Sequence, residues 1–271
     1  MAFALVVFVL AGGAFVLDRV ALHMIRPPYK PLRKRAPDLP FPSEEVALRS
    51  GGQTLSAWIL RPLEEARGPV LVMVHGWGSN HGTMARLAGP LLSLDYPVLL
   101  FDVRHHGESR GASYVTARHF RDDILAAVEK AKERFPGCPV VLVGHSMGGS
   151  TGILAAADGA QIQGLVSIGA PADLWEVWAF HLNRRCIPGR WAVQCLRPFW
   201  KYRAGEDWDT LDPLKRGRDV QVPWLIIHGQ EDESVSVKQA HLLAGVAGVE
   251  PRILIGQGHT EAIDMQYVTR S

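Results

Sequence analysis

The sequence predicts an α/β fold with a mostly parallel central sheet and helices on both faces. Short apolar runs rich in β-branched residues alternate along the chain with helix-like segments, which is typical of strands joined by crossover helices. The apolar run 139–143 leads directly into Gly144-His-Ser-Met-Gly148, a motif that turns a strand sharply into a helix. Asp232 and His259 follow two later apolar runs. Because the carboxyl ends of parallel strands meet at one edge of a sheet, we expect these polar groups at a common site.

Length and composition suit one large globular domain. The chain has 271 residues, of which 47% are hydrophobic, and a net charge of +2; α/β domains reach this length without splitting. The charge balance gives no broad basic surface, so no nucleic-acid partner is expected. Cys138, Cys186 and Cys195 have no metal-ligand spacing, although Cys186 and Cys195 are able to pair if the domain is exported.

The N-terminus is strongly apolar. Residues 1–17 carry no charged side chain, and the run continues to Ile25 if Asp18 and Arg19 are tolerated. A membrane-spanning helix needs about 17–25 mostly apolar residues, so residues 1–25 are predicted to form a single-pass membrane anchor. Secretory signal peptides usually begin with a basic region, which this chain lacks. A cleaved signal peptide and a buried or interfacial helix are the alternatives.

A basic, proline-rich segment follows the apolar run. Residues 26–43 contain six prolines and are predicted to be an extended linker. Residues 18–35 have a net charge of +5, which leaves −3 for the rest of the chain. By the positive-inside rule, this places the domain formed by residues 44–271 on the cytoplasmic side of the membrane.

The elements of that domain are predicted from the period of the apolar residues and from turn-forming glycines. Two alternating runs around Gly51-Gly52 predict a hairpin. Uniformly apolar runs predict buried strands, and apolar residues every three or four positions predict helices. In chain order, the hairpin 45–60 is followed by strand 70–74, helix 83–94, strand 97–101, helix 118–135, strand 139–143, helix 151–158, strand 164–168, strand 222–227, helix 237–246, strand 252–255 and helix 261–268.

The alternation breaks between residues 172 and 220, where an insertion carries five tryptophans. Trp178 and Trp191 are the candidates for lining an apolar substrate pocket, since small-molecule sites are mostly apolar with a few polar groups. The alternative is that the rings only pack the insertion against the sheet.

The polar residues at the strand ends suggest nucleophilic catalysis. A serine hydroxyl needs a base to take its proton and a third group to orient that base. The order Ser146, Asp232, His259 supplies all three. The alternatives for the acid are Glu231, Glu233 and Asp173.

A negatively charged intermediate on this serine would need backbone donors. Met147 directly follows the serine, and Trp77 lies in the glycine-rich loop His75-Gly-Trp-Gly78 after a predicted strand. Their N–H groups are the predicted oxyanion donors. The histidines in and near this loop have no metal-ligand spacing, so no metal is expected, and His75 is expected to brace the loop by hydrogen bonding.

Three motifs together resemble the α/β-hydrolase family: the elbow around Ser146, the loop 75–78, and Phe101-Asp-Val-Arg-His-His-Gly-Glu-Ser109. The resemblance covers about residues 44–268 and is closest to the lysophospholipase, monoacylglycerol-lipase and esterase-like branch. It implies that Asp102 and Arg104 tie loops near the site together and that Ser109 is not a second nucleophile. It also implies that the insertion at about residues 172–220 forms a helical cap over the sheet.

The resemblance and the site residues predict a serine hydrolase that cleaves carboxylic esters of lipid or small-molecule type through an acyl-enzyme on Ser146, without a cofactor. A peptidase, a thioesterase or an acyltransferase with the same triad is the alternative within the same chemistry, because leaving-group choice depends on the cap and the pocket. A non-catalytic binding protein that has kept the fold is the alternative from a different class.

Overall fold

A computed structural model describes residues 2–263, with the backbone only for residues 2–7 and 9. The described part contains one eight-stranded sheet with the strand order β1-β2-β4-β3-β5-β6-β7-β8. The strands are β1 (Ser43–Ser50), β2 (Gln53–Leu60), β3 (Val70–Val74), β4 (Val98–Phe101), β5 (Val140–His145), β6 (Gly164–Ile168), β7 (Trp224–Gly229) and β8 (Arg252–Leu254).

Eight α-helices are present within residues 2–263: α1 (Ala2–Met24), α2 (His81–Leu92), α3 (Ala117–Arg134), α4 (Met147–Ala157), α5 (Leu174–Asn183), α6 (Gly189–Ala204), α7 (Pro213–Arg216) and α8 (Lys238–Ala247). Short 3₁₀ helices cover Ala36–Asp38, Trp208–Leu211, Gly217–Asp219 and Glu261–Ile263. Of the helix predicted over residues 261–268, only this last turn falls within the described residues.

The sheet is mostly parallel, as the sequence predicts. β1 pairs with β2, and β2 with β4, in antiparallel orientation. Every other neighbouring pair is parallel. The carboxyl ends of β3, β5, β6, β7 and β8 therefore lie along one edge, where each is followed by a loop that is available for a site.

Both faces of the sheet are covered, and side-chain alternation along β3 shows how. Val70, Val72 and Val74 belong to one buried cluster, which also contains Phe120 of α3 and Leu243 of α8. The intervening side chains, Leu71 and Met73, belong to a second cluster on the opposite face with Met84 of α2. A strand buried on both sides is uniformly apolar, which is why the sequence pattern located these strands well.

The membrane-spanning helix predicted at residues 1–25 is not supported. None of the helices within the described residues combines the length and the apolarity needed to cross a membrane. The second half of α1 instead packs on the cap: Ala21 and Ile25 are buried with Leu196 and Trp200 of α6. A mainly apolar helix is typical of membranes and also of helices that pack on another part of a protein. The second half of α1, which also carries Asp18, Arg19 and His23, packs on the cap.

The residues predicted as a linker lie along the domain. The Ile25 carbonyl accepts the N–H of Val115 at 2.9 Å, and the Arg26 side chain donates to the Ser113 carbonyl at 3.0 Å. Further on, the Lys30 carbonyl accepts the side-chain amide of Asn80 at 3.0 Å. Ile25 and Lys30 contribute backbone carbonyls to these contacts, which every residue type has, so these two contacts leave little trace in the sequence.

Candidate active site

Ser146 stands between β5 and α4 in a strained conformation. Its φ of 54° and ψ of −123° are sparsely populated by residues other than glycine. The strand and the helix pass so closely that a Cβ on Gly144 would collide with the Gly148 backbone, which explains the glycine on each side. The Ser146 N–H donates to the Ile168 carbonyl of β6 at 2.8 Å. The predicted elbow is therefore present, and it presents a half-buried serine at the carboxyl edge of the sheet.

Asp232 lies in the loop after β7 and is surrounded by donors. Its Oδ1 accepts the N–H groups of Ser234 and Val235, both at 2.8 Å. Its Oδ2 lies 2.5 Å from His259 Nδ1 and 3.3 Å from His228 Nε2. Burial raises the pKa of this carboxyl, but the hydrogen bonds from His228 and His259 outweigh it and the net pKa is below the ordinary value. The group is therefore an anion at neutral pH.

The alternative acids are placed elsewhere. Glu231 and Glu233 are exposed on either side of the buried Asp232. Asp173 caps α5, where its side chain accepts the N–H groups of Trp175 and Glu176. In this geometry only Asp232, of the four carboxylates considered from the sequence, contacts His259.

His259 lies in the loop after β8, and its ring is oriented by Asp232. A carboxylate accepts a hydrogen bond only from a nitrogen that carries a hydrogen. The 2.5 Å contact therefore places the hydrogen of the ring on Nδ1 and leaves Nε2 as the basic nitrogen. His145, which directly precedes Ser146, also holds the loop after β8, because its Nε2 donates to the His259 carbonyl at 2.9 Å. Burial lowers the pKa of His145 to about 3, so this brace is neutral.

Ser146 and His259 thus lie on loops that contact each other. The rings of His145 and His259 are 4.8 Å apart, and a Cβ on Gly169, directly after the carbonyl that binds Ser146, would lie 3.3 Å from the His259 ring. Within residues 2–263, Ser146 Oγ makes no hydrogen bond to His259. Such a bond is frequently long or misaligned in a site without substrate and tightens when substrate binds.

The loop after β3 lies against the serine. A Cβ on Gly76 would be 2.9 Å from Ser146 Cβ and 3.4 Å from its Oγ. Met147 is the first residue of α4, so its N–H has no acceptor within the helix. Trp77, the other predicted oxyanion donor, follows Gly76 in this loop. The structure therefore brings Trp77, Met147 and Ser146 to one place.

Two neutral histidines fix the loop after β3. His75 Nε2 accepts the N–H of Val103 at 3.1 Å, so its Nδ1 carries the hydrogen and donates to the Gly76 carbonyl at 2.8 Å. His106 Nε2 likewise accepts the Gly78 N–H at 3.1 Å. Burial lowers the pKa of His75, and lowers that of His106 to about 3. The bracing role predicted for His75 agrees with this geometry.

The turn 101–109 supports these histidines. Arg104 donates from its N–H and Nε to Asp123, at 2.9 and 3.0 Å. Ser109 Oγ donates to the Asp102 carbonyl at 2.7 Å and accepts the Ser56 N–H, so both functions of this hydroxyl are used within the fold. These are the structural roles that the resemblance implied.

One group of possible metal ligands exists among the described residues, formed by His81, Asp102 and Glu108, whose ligand atoms lie within 4.8 Å of one another. Asp102 Oδ1 accepts the His81 N–H, and Oδ2 accepts the Glu108 N–H and contacts His81 Nδ1. This carboxylate is thus engaged by protein donors.

The two candidate cap residues differ in position. Trp178 of α5 is half-buried, and its ring makes an edge contact with Trp77 at 6.0 Å between centroids. Trp191 of α6 is 69% exposed, and the structure does not bring it to the site. Periodicity alone places both on cap helices but does not tell which face of each helix turns inward.

Two residues of the site were missed from the sequence. His228 is the last but one residue of β7 and lies four positions before Asp232, and His145 directly precedes the nucleophile. Each is a polar residue at the end of an otherwise apolar strand. Such a pattern predicts that the side chain is buried and hydrogen-bonded, but it does not predict the partner of the hydrogen bond.

The comparisons with known proteins agree with this architecture. Residues 65–201, slightly more than half of the chain, match the family described as serine aminopeptidase, S33. Human monoglyceride lipase is 33% identical over 128 residues, and rat protein phosphatase methylesterase 1 is 32% identical over 95. The first match covers 46% of this chain and 42% of the human enzyme, and the second covers 34% and 24%. The chain therefore matches less than half the length of these curated relatives.

Solved structures extend the likeness in fold over most of the chain. An esterase from Pyrococcus furiosus has a TM-score of 0.71 and 22% identity, covering 89% of this chain and 93% of its own. A serine hydrolase without a lid from Xanthomonas campestris has a TM-score of 0.59 and 22% identity, covering 88% and 93%. The segment matched by the family model contains Ser146 but neither Asp232 nor His259, so the assignment of the acid and the base rests on the geometry of this chain. By its fold and by the match over residues 65–201, the chain belongs to the serine aminopeptidase S33 family.

Proposed function

We propose that this protein is a serine hydrolase that cleaves carboxylic esters through an acyl-enzyme on Ser146. The observation that carries the proposal is the short contact between Asp232 and His259 Nδ1 beside a strained, half-buried serine. Monoglyceride lipases and esterases among the similar proteins support an acyl ester of lipid or small-molecule type as substrate.

The reaction follows from the atoms in place. His259 Nε2 takes the proton of Ser146 Oγ as that oxygen bonds to the ester carbonyl carbon. The carbonyl oxygen becomes negatively charged and is stabilised by the Trp77 and Met147 N–H groups. When the intermediate collapses, the C–O bond to the alcohol breaks and His259 returns the proton to that alcohol. Water then repeats the sequence on the acyl-enzyme and releases the acid. Asp232 stabilises the protonated histidine throughout.

An ester is favoured over the N-terminal peptides that the family description suggests. An aminopeptidase needs a carboxylate near the site to pair with the free amino group of its substrate. Glu176 of α5 and the exposed Glu231 and Glu233 are carboxylates on elements that border the site, so the charges alone do not exclude a peptide. The ring of Trp178 beside Trp77 suits an apolar acyl chain, and this contact favours the ester.

Fluorophosphonate labelling tests the nucleophile. The full-length protein should be labelled once, at Ser146, and Ser146→Ala should abolish both labelling and hydrolysis of p-nitrophenyl esters. Ser113→Ala is the matched control, because Ser113 is exposed and uses only its carbonyl in a hydrogen bond. Labelling that persists in Ser146→Ala would overturn the proposal.

A substrate panel tests the ester preference. Equal concentrations of esters, thioesters and aminoacyl amides should give the largest kcat/KM for the esters. A larger kcat/KM for aminoacyl amides would identify a peptidase, and the absence of both turnover and fluorophosphonate labelling would point to a binding protein.

We also propose that the protein works at a membrane, with the catalytic domain on the cytoplasmic side. The support is the part of α1 before Asp18, where Phe8, Leu10, Phe15 and Val16 are exposed, next to the basic residues 18–35. The full-length protein should then sediment with membranes, and Phe8→Ser/Leu10→Ser/Phe15→Ser should shift it to the soluble fraction. Wild-type protein in the soluble fraction, or an N-terminus cleaved near Ala14, would contradict this location.

A further inference from the structure

The outer face of α6 is unusual for a solvent-exposed helix face. The inner side of α6 buries Val193, Leu196 and Trp200 at helical spacing. The opposite side exposes Trp191 and Tyr202, which are 69% and 84% accessible. Eleven residues separate these two rings, a distance of about 16 Å along a helix. Large aromatic side chains with a polar tip are enriched where apolar and aqueous phases meet.

The central part of the cap is also basic. Residues 177–205 contain six Lys and Arg and no Asp or Glu, whereas Asp173, Glu176 and five further acidic residues flank this stretch within residues 172–220. Arg203 and Lys201 are neutralised by Asp18 and Asp207. No ion pair involves Arg184, Arg185 or Arg190 in the part of the chain that the structure describes, and all three are exposed.

The turn between α5 and α6 adds apolar surface among these charges. Every residue from Asn183 to Pro188 is exposed, including the aliphatic side chain of Ile187. The guanidinium of Arg184 lies 5.9 Å from the ring centre of Phe180, another exposed apolar residue. Basic and apolar groups are thus interleaved on one turn, so a partner is expected to offer negative charge and an apolar phase together.

Exposed apolar side chains are also present on α1, which packs against the inner side of α6. Asp18 pairs with Arg203 at 2.6 Å, and the Ala21 carbonyl accepts the Trp200 Nε1–H at 2.9 Å. The two helices therefore run antiparallel. The earlier residues of α1, among them the exposed Phe15 and Val16, extend beyond the end of α6 that carries Tyr202.

We propose that the outer cap surface, made of residues 184–191 with Gln194, Pro198, Lys201 and Tyr202, docks on an anionic lipid bilayer. Helices with basic residues and aromatic rings lie in the interfacial plane of bilayers, where arginine meets lipid phosphate and the rings enter the headgroup boundary. A soluble polyanion offers the charge but gains nothing from burying Ile187 and Trp191. The bilayer is therefore the occupant that matches both properties of the surface.

Vesicle binding by the full-length protein tests the proposal. Phosphatidylcholine vesicles with and without phosphatidylglycerol are the probe, and co-sedimentation is the measurement. Arg184→Glu/Arg185→Glu should lower the partition coefficient for the anionic vesicles by at least about tenfold, since each basic residue near such a surface contributes severalfold. Arg67→Glu/Arg218→Glu is the matched control with the same change in net charge, because both residues are exposed and lie outside this surface. It should bind like wild type.

Further measurements distinguish binding to lipid from binding to negative charge alone, and membrane binding from catalysis. Trp191→Ala should weaken binding to anionic vesicles severalfold and leave binding to heparin unchanged. Wild-type binding by Arg184→Glu/Arg185→Glu would overturn the proposal. Loss of vesicle and heparin binding alike in the charge variant, with no effect of Trp191→Ala, would replace it by a general polyanion site. Hydrolysis of a soluble acetyl ester without vesicles is scored separately, so a failure of the ester-hydrolase proposal is visible on its own.

Discussion

The loops along the carboxyl edge of the sheet and the cap above them are held by different forces. The loop after β3 is fixed by hydrogen bonds to neutral buried histidines: His75 donates to Gly76, and His106 accepts from Gly78. The acid loop is fixed in the same way, since Asp232 accepts from two backbone N–H groups and from His259. Directional bonds in a buried setting hold atoms in one arrangement.

The cap is held mainly by aromatic packing. The rings of Trp175 and Trp200 are stacked 5.5 Å apart, Trp175 meets Trp208 at 3.7 Å, and Trp178 meets Trp200 at 6.0 Å. Apolar contacts are not directional, so these rings can shift against one another more easily than groups held by hydrogen bonds. The comparison indicates a rigid catalytic edge under an adaptable cap. Substitutions in the loops of the sheet edge should affect turnover, and substitutions in the cap should affect which substrate is accepted.

The largest effect is expected at the acid. Asp232→Asn keeps the shape of the side chain but favours the wrong histidine tautomer, so kcat should fall by about 10³–10⁴-fold. Asp209→Asn, an exposed carboxylate paired only with Lys215, is the control and should leave kcat unchanged. Circular dichroism would show whether the variant is folded. A loss under tenfold in the folded variant would contradict the role given to Asp232.

The next effect tests how tightly the loop after β3 abuts the serine. In Gly76→Ala the added Cβ would lie 2.9 Å from Ser146 Cβ, which forces the loop or the nucleophile to move. Displacing an oxyanion donor costs about 10²–10³-fold in kcat. Gly245→Ala on α8, where nothing lies within 4 Å of the new Cβ, should leave activity unchanged. Equal kcat in the two variants would show that the edge is less rigid than proposed.

Buried neutral histidines predict a particular pH dependence of stability. Burial lowers the pKa of His106 and His145 to about 3, against 6.5 in the unfolded chain. Between about pH 3 and pH 6.5 the unfolded chain binds more protons than the folded protein. The contribution of these histidines to the free energy of unfolding is therefore fully present above pH 6.5, and it is lost as the pH drops below that value. Each histidine contributes a slope of up to about 1.4 kcal/mol per pH unit.

Urea denaturation from pH 7 to pH 4 measures this slope. His145→Gln should flatten it, while His241→Gln, at an exposed position on α8, should not. An identical slope in wild type and His145→Gln would show that this histidine is not part of the linkage.

A smaller and more selective effect is expected in the cap. Trp178→Ala should raise KM for medium-chain esters and leave acetyl esters nearly unchanged, because each buried methylene contributes about 0.8 kcal/mol. Trp191→Ala is the control, since its ring is on the outer face. The sequence alone predicts the same effect for both residues. If both variants keep the wild-type chain-length profile, the cap tryptophans only pack the fold.

The sequence predicted the strands and loops of the carboxyl edge better than the faces of the cap helices, and the reason is physical. Strands such as β3 and β5 are buried on both faces and must be apolar throughout, so their runs are unmistakable. The elbow needs Gly144 and Gly148 because no Cβ fits there. Asp232 and His259 then follow from the rule that loops at the carboxyl ends of parallel strands share a site.

The N-terminal segment was not predictable in the same way. The run through α1 is apolar on all sides, and the sequence does not distinguish burial in lipid from burial against Trp200. The linker contacts pass through the carbonyls of Ile25 and Lys30, which every residue type possesses. The inner and outer faces of α6 likewise both carry tryptophan, at Trp200 and Trp191. Position in the fold, and not residue type, separates their roles.

The smallest effect compares two tryptophans, one in each region, whose indole N–H donates a hydrogen bond of the same length. Trp224 Nε1 donates to Ser167 Oγ in the sheet, and Trp200 Nε1 donates to the Ala21 carbonyl between cap and α1, both at 2.9 Å. Trp224→Phe leaves the buried Ser167 hydroxyl without this donor and should lower the free energy of global unfolding by about 1–3 kcal/mol. In Trp200→Phe the carbonyl still receives the N–H of Ile25, so the cost should be about 0.5–1.5 kcal/mol and confined to the cap. Hydrogen exchange should then accelerate in α5, α6 and the end of α1 alone, without a change in the sheet. Accelerated exchange throughout the sheet in Trp200→Phe would show that cap and core unfold as one unit, and the distinction between a rigid edge and an adaptable cap would be wrong.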